Sequence, residues 1–435
     1  MPTMTFPISR IEGHAQVVLE VQQGAVIEAR FQAVEFRGFP YLVQGVPAEQ
    51  MPVLAPRICG ICSTAHHLAS VKALEDAYGV TPPETAQRIR ELLMLGQIIQ
   101  NQATSMFIFT FPDRLGLSSI FEQPEHTLRQ SSEIATRALR VRKAGTDLIA
   151  LAGGQFIHPV KAVVGGVISG IAPEAADEMR AQIHGTLPTA CELFDYYWAT
   201  SAAMSDRLGT WGDDAPACYL AAVEDVRPNY VGSTLRIMCS DGTIGDVFPP
   251  SAFRNYLSME ETEYSYAQRS RYRHGVVRAN SLARINMARR MGTPRADEYL
   301  DRFRAAFGRP AHAIMLFDLA RGIELVYALE RAMEILSQPL DQEDTSLPYT
   351  PRDGDGYGLV EAPRGPLIHH YRILDGRILQ AEFIIPTVHN VLAIERALRV
   401  AAERYIGPDR IDMELEHAVG RVVRAFDPCI ACATH

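Results

Sequence analysis

Four of the chain's seven cysteines form two Cys-x-x-Cys pairs, Cys59-Gly-Ile-Cys62 near the start and Cys429-Ile-Ala-Cys432 near the end. A single pair of this kind can bind metal, exchange thiol for disulfide, or sit inert in a core. A redox pair needs no second copy, whereas two copies can supply four thiolates to one metal centre. Zinc ribbons leave about 15–20 residues between their pairs; here almost the whole chain intervenes. A fold that uses all four sulfurs must therefore bring both ends of the chain to one place. Sulfur ligands favour soft metals, Ni, Fe or Zn, and the spacing does not choose among them. Cys191, Cys218 and Cys239 stand alone and read as buried reduced thiols.

The formal charge of −9, with no Lys/Arg block, speaks against a nucleic-acid partner. Residues 1–20 lack the basic segment and apolar run of a secretory signal. No stretch is apolar over the ~18 residues that a spanning helix needs. The expectation is a cytoplasmic chain with no membrane span.

Apolar and polar residues alternate over 14–21 and 25–36 around Gln23-Gly24, which predicts a β-hairpin or meander. Helical periodicity follows over 64–78, stopped by Gly79, and over 84–109, 127–151 and 173–204. Strands are expected over 234–247 with a turn at Ser240-Asp-Gly242, and helices over 278–291, 296–307 and 310–336. Strands return over 358–385 around Asp375-Gly376, before a last helix over 388–405. The predicted class is α+β: one domain over 1–435, mainly helical, with small antiparallel β sections near both ends and the metal site where the ends meet.

The flanks of the cysteine pairs narrow this reading. Arg57-Ile-Cys-Gly-Ile-Cys-Ser-Thr-Ala-His66 resembles the first cysteine motif of nickel–iron hydrogenase large subunits, and Asp427-Pro-Cys-Ile-Ala-Cys-Ala-Thr-His435 resembles their second. The latter ends where that family ends once a C-terminal extension has been removed. Arg10-Ile-Glu-Gly-His14, Gly153-Gly154 with His158-Pro159, and Ala362-Pro-Arg-Gly365 with His369 resemble three further family motifs, in the family's order.

The resemblance implies a nickel–iron centre whose iron carries CO and two CN ligands. Cys59 and Cys429 would be terminal nickel ligands, and Cys62 and Cys432 would bridge the metals. Heterolytic cleavage of H2 needs a Lewis-acidic metal and a nearby base. Glu12 would take the proton from a nickel-bound thiolate, and Arg364 would hang over the open metal position. Thr387 would hydrogen-bond a cyanide, with His66, Asp427 and Asn101 around the centre. Outside that frame Glu12 reads as a surface or capping carboxylate, Arg364 as a surface charge, and His66 as a core histidine. His67 and His370 read as structural.

The sequence departs from the family in places. Arg37-Gly-Phe-Pro40 carries proline where the family has a glutamate, so the Mg2+ or Fe2+ implied beside His435 loses a ligand, with Glu35 or Glu49 as substitutes. Asn101 stands where many relatives have aspartate, and His389 where tryptophan is common. The implied partners are an iron–sulfur small subunit, diaphorase-type electron-transfer subunits, maturation proteins and a C-terminal endopeptidase. The chain is most similar to the cytoplasmic, multimeric branch that exchanges electrons with NAD(P) or another soluble carrier. The rival readings are a hydrogen-sensing subunit, a four-cysteine structural module, and a respiratory-complex subunit that has lost its metals. No Gly-x-Gly-x-x-Gly follows a strand and no further cysteine cluster is present, so electrons must leave through another polypeptide.

Overall fold

The computed structural model describes residues 3–121, 128–202, 217–224, 227–273, 275–341, 344–406 and 414–435, with backbone alone at 128–131 and 202. The predicted N-terminal hairpin pairs Ala15–Gln22 with Ala25–Ala33 across Gln23-Gly24, and a strand not anticipated, Thr3–Ile8, extends it to three antiparallel strands. Alternate side chains of the middle strand are buried, as a sheet with one face on the core requires.

The helical body consists of Ser63–Tyr78, Glu84–Ala103, Leu128–Gly153, Pro173–Ala202 and Phe317–Leu336. The expected starts at 64, 84 and 173 hold to within a residue. Residue 127 and residues 203–204, the outer ends of two expected helices, lie outside the described residues. The helix expected over 84–109 changes form: it is α-helical to Ala103, then widens into a π-helical turn over Thr104–Thr110. Side chains divert the backbone there. Arg10 Nη1 donates to the Phe109 carbonyl at 2.6 Å, and the Thr104 and Thr110 hydroxyls donate to carbonyls four residues back. The helix expected over 278–291 is shorter, Ser281–Met287, because Gly275–Arg278 is a strand.

That strand belongs to a six-stranded sheet of which the sequence reading anticipated only Leu235–Met238 and Ile244–Phe248. Its other members are Cys218–Ala221, Leu257–Thr262, Ser265–Tyr272 and Gly275–Arg278, with one parallel pairing, between the first and last of these. Cys191 is buried as expected, but Cys218 and Cys239 are only half-buried, at the end of the pairing between Cys218–Ala221 and Leu235–Met238.

Three antiparallel strands, Gly354–Ala362, Gly365–Leu374 and Arg377–Ile384, form the C-terminal sheet. It lies against Ser63–Tyr78, the helix that follows Cys62. The approach is so close that a Cβ on Gly358 would sit 1.9 Å from the Ala69 carbonyl oxygen, and one on Gly356 2.0 Å from that of Ala73. Glycines facing alanines thus lock the strand carrying the arginine motif onto the first cysteine pair. Two further helices, Pro386–Glu403 and Leu415–Phe426, lead into the last segment. No helix among the described residues is long and apolar enough to cross a membrane.

Candidate metal centre

Each cysteine pair sits where a regular element starts or stops. Cys62 precedes the first turn of Ser63–Tyr78. The helix Leu415–Phe426 ends at Asp427, whose left-handed backbone (φ +50°) turns the chain, and Pro428 prevents helix from resuming. Cys429 is then extended and forms a parallel bridge with Glu12, sealed by Ile430 N–H donating to the Glu12 carbonyl at 3.0 Å. The next residue along, Gly13, has φ +79°, and a Cβ there would meet Ile430 Cβ at 2.8 Å. The N-terminal motif thus needs glycine for the two ends to touch.

All four sulfurs are buried and lie within 4.8 Å of one another. Cys429 Sγ is 2.8 Å from Cys432, 3.4 Å from Cys59 and 3.6 Å from Cys62. Two sulfurs sharing one metal at about 2.3 Å can be no more than about 4.6 Å apart, so these three contacts fit shared ligation. Hydrogen bonds with Cys429 and Cys432 draw Cys62 well below the ordinary thiol range, and the Arg364 guanidinium adds to the pull. Burial pushes Cys429 and Cys432 up. Four buried thiols this close cannot all ionise unless a cation neutralises them, which is the state that metal ligation produces.

Charged groups flank the sulfurs. Glu12 Oε2 is 3.1 Å from Cys429 Sγ and accepts the Ala431 N–H at 3.0 Å; burial, then the neighbouring Cys59, raises its pKa. Arg364 occupies the two-residue turn between paired Ala362 and Gly365. Its Nη1 points to Cys62 Sγ at 3.2 Å, its Nε donates to the Asp427 carbonyl at 2.5 Å, and its Nη2 donates to Asp427 Oδ1 at 3.0 Å. Asn101 Nδ2 donates to Asp427 Oδ2 at 3.2 Å, so the carboxylate is held on both sides. Thr387 Oγ1 accepts the Cys429 N–H at 2.9 Å. His66 Nε2 lies 3.3 Å from Cys432 Sγ, and burial lowers its pKa to about 4. Beside the sulfurs is a cavity of about 10 Å³, walled by Ala362, Pro363, Leu367, Ile385 and Pro386 and edged by Arg364 and Thr387. Apolar walls with a few donors suit small anionic or neutral diatomic ligands.

His435 is close by but is not a fifth member of the cluster. Its Nδ1 is bonded to the Cys432 carbonyl at 2.7 Å, and its ring meets Phe383 edge-on. Neither proposed substitute carboxylate turns toward it: Glu35 pairs with His14 at 2.9 Å, and Glu49 accepts from Tyr349 at 2.6 Å. Pro40, in a short helical turn over Phe39–Leu42, has no donor to offer. Among the described residues the four cysteines are the one cluster of three or more His, Cys, Asp or Glu side chains close enough to hold a metal. His67 bonds the Pro52 carbonyl, and His370 stacks on Tyr357 between Asp355 and Glu382, so both have structural partners.

The sequence reading missed a buried charge network beneath Arg364. Arg284 donates to Glu324 and Glu361 and to the carbonyls of Ala362 and Pro363, all fully or almost fully buried, and so fixes the two residues ahead of the arginine. Burial pushes Glu361 up to about 7 against the pull of Arg284. Lone charges within apolar runs, Leu282-Ala-Arg-Ile285, Ile323-Glu-Leu325 and Leu359-Val-Glu-Ala362, were the available signal. A second network holds the helix Leu415–Phe426: Asp113 takes Arg424 at 2.7 Å and Arg10 at 2.5 Å.

Comparison with known proteins agrees with this architecture. Residues 37–136 and 228–435 match the family described as nickel-dependent hydrogenase, and residues 6–36 match one described as HoxL-like. In Methanococcus voltae, the vhu A subunit of the F420-non-reducing hydrogenase is 35% identical over 408 residues, 91% of this chain and 97% of that one. The beta subunit of the NAD-reducing hydrogenase HoxS of Cupriavidus necator is 32% identical over 462 residues, covering 99% and 93%. The crystal structure of an NAD+-reducing [NiFe]-hydrogenase in its H2-reduced state superposes with a TM-score of 0.92 at 28% identity over the whole of both chains. With its four clustered sulfurs and a fold shared along its entire length, this chain belongs to the nickel-dependent hydrogenase family.

Proposed function

We propose that the chain carries out the reversible heterolytic cleavage of H2. The reading rests on one observation: a carboxylate 3.1 Å from one of four clustered sulfurs, with a guanidinium 3.2 Å from another. Bound to the four thiolates, a nickel–iron centre would supply the Lewis acid that polarises H2 and takes up its electrons. Cys59 and Cys429 would hold the nickel, and Cys62 and Cys432 would hold both metals, the iron carrying CO and two CN groups. Glu12 then receives the proton released at Cys429; its raised pKa and partial exposure suit a group that accepts a proton and passes it outward. Arg364, held by Asp427, keeps a permanent positive charge facing the cavity. Thr387, whose oxygen accepts from Cys429, has its hydroxyl proton to offer a cyanide. A third ion, Mg2+ or Fe2+, held by His435 would have to do without a ligand from Pro40.

Electrons must leave by way of another subunit. Of the three remaining cysteines, Cys191 sits in the helical core, and Cys218 and Cys239 sit on the six-stranded sheet, which leaves none to gather a cluster. We therefore place an iron–sulfur small subunit over the face beside Cys62. There Ser63 Oγ accepts the His158 N–H, and Ile157 and Val160 are exposed in the same loop. From that subunit the electrons pass to a soluble carrier such as NAD(P). The test is nickel and iron content with infrared spectra of the purified assembly, followed by H/D exchange and dye reduction by the chain with and without its partner. Fast dye reduction by the metal-loaded chain alone would overturn the electron route, and a chain that holds zinc would overturn the whole reading.

A further inference from the structure

A chain of hydrogen bonds runs from the bridging sulfur into the protein, away from Glu12. His66 Nε2 faces Cys432 Sγ at 3.3 Å, and His66 Nδ1 is 2.9 Å from His369 Nε2. His369 Nδ1 is 2.8 Å from the Tyr371 hydroxyl, which lies 3.0 Å from Ser70 Oγ. The path follows from periodicity alone. His66 and Ser70 are one turn apart on a single face of Ser63–Tyr78, while His369 and Tyr371 are two apart on a single face of Gly365–Leu374. The glycine–alanine seam presses these faces together. All four side chains are at most 1% exposed, and Phe383 closes edge-on over His369 at 4.8 Å.

A neutral imidazole donates at one nitrogen and accepts at the other, so each link fixes the next. A metal-bound Cys432 is a thiolate and can only accept, so His66 must carry its proton on Nε2. Its Nδ1 must then accept from His369 Nε2–H, and His369 Nδ1 must accept from a group with a proton to give. Tyr371 is the group in place to give it, by turning its one hydroxyl proton from Ser70 Oγ to His369 Nδ1 and accepting the Ser70 proton in exchange. We propose that His369 and Tyr371 are positioning residues for the metal centre, holding His66 in the tautomer that donates a hydrogen bond to the bridging thiolate of Cys432. Neither touches a metal ligand; they act through His66. Partners at this remove orient the first ligands and tune their basicity, and hydrogen bonds to sulfur help set the potential of metal–thiolate centres.

The inference rests on the hydrogenase reading above, and the two can fail separately. Wild-type assembly without nickel and iron would remove that reading, and this one with it. Given normal metal content, Tyr371→Phe deletes only the hydroxyl. His369 Nδ1 then lacks its donor, the two rings are no longer fixed from behind, and the His66 Nε2–H makes a longer, weaker hydrogen bond to the thiolate. The sulfur, its hydrogen bond weakened, donates more charge to iron. The infrared bands of the diatomic ligands should shift to lower wavenumber, and the midpoint potential of the centre should become more negative. His369→Leu should shift both the same way and serves as the test if Tyr371→Phe does not load. Tyr219→Phe, which removes an equally buried hydroxyl that bonds Ala311 and His312 instead, should leave the bands in place. Unshifted bands and potential in a fully loaded Tyr371→Phe assembly would overturn the proposal, as would an equal shift in Tyr219→Phe.

Discussion

Replacing Glu12 by Gln isolates proton transfer from the geometry of the site. The glutamine keeps the length of the side chain and an oxygen to accept the Ala431 N–H, now made at 3.0 Å, but it cannot take up a proton. The lost interaction with Cys429 Sγ is worth about 1 kcal/mol, and relief from burying a carboxylate offsets it. Melting temperature and metal content should therefore stay near wild type. The kinetic loss is much larger. A positioned general base contributes roughly 10²–10⁴-fold, which corresponds to about 2.7–5.4 kcal/mol in barrier height. H/D exchange by the intact assembly is the direct assay, because it reports bond cleavage and proton release without the electron chain. Glu12→Asp calibrates it: the carboxylate withdraws by about 1.5 Å from a contact now at 3.1 Å, so exchange should fall between wild type and Glu12→Gln. If Glu12→Gln, fully metal-loaded, exchanges within about threefold of wild type, a span far below what general-base loss implies, the proton leaves by another route and the assignment is wrong.

Asp427→Ala removes the carboxylate that holds both Arg364 and Asn101, and breaking such a buried pair costs about 3–5 kcal/mol; thermal denaturation and metal content should both fall, and unchanged values would mean that the Arg364 contact is incidental. Gly358→Ala puts a methyl 1.9 Å from the Ala69 carbonyl oxygen and should open the seam between sheet and helix, read as lost metal retention rather than as a small change in melting temperature. Glu361, whose pKa rises from 4.5 to about 7 on folding, adds stability that is full below about pH 4.5 and lost as pH rises through 7. The span is about 3 kcal/mol. Glu361→Gln should flatten the fall in melting temperature over that window, and an unaltered slope would show that its proton is not linked to folding.

The site was more legible than the scaffold, for reasons of local chemistry. The thiolate pairs carry their meaning in side-chain type and spacing, whereas Glu12 and Arg364 stood out only through the motifs they resemble; the structure places all of them around the clustered sulfurs. Helices also announced themselves, because a long apolar stripe at 3.6-residue period fits little besides a helix packed on one face. Four of the six strands of the large sheet were missed: Leu257–Thr262 and Ser265–Tyr272 form a local hairpin that the reading passed over, whereas Cys218–Ala221 and Gly275–Arg278 are four residues each and pair with one another from far apart in the chain. No local rule contains that distant pairing. The π-helical turn over Thr104–Thr110 depends on Arg10, nearly a hundred residues earlier, and the Arg284 network draws its members from three separate segments. His435 is the case neither sequence nor local geometry decides: the resemblance offers it a role, its Nδ1 is held by the Cys432 carbonyl, and Pro40 offers no ligand beside it.

The parallel bridge between Glu12 and Cys429 also sets an order of assembly. The two residues are 417 positions apart. Bringing the ends of so long a loop together costs about 5 kcal/mol in chain entropy beyond the constant term, against about 3 kcal/mol for a 20-residue metal loop. Nothing local repays that cost, so the bridge can form only after the helical body and the C-terminal sheet have brought its two sides close. Cys59 and Cys62 are synthesised hundreds of residues before their sulfur partners and must wait, reduced, on an unfinished surface. A metal offered during synthesis would therefore meet half a ligand set, and one offered afterwards a complete one.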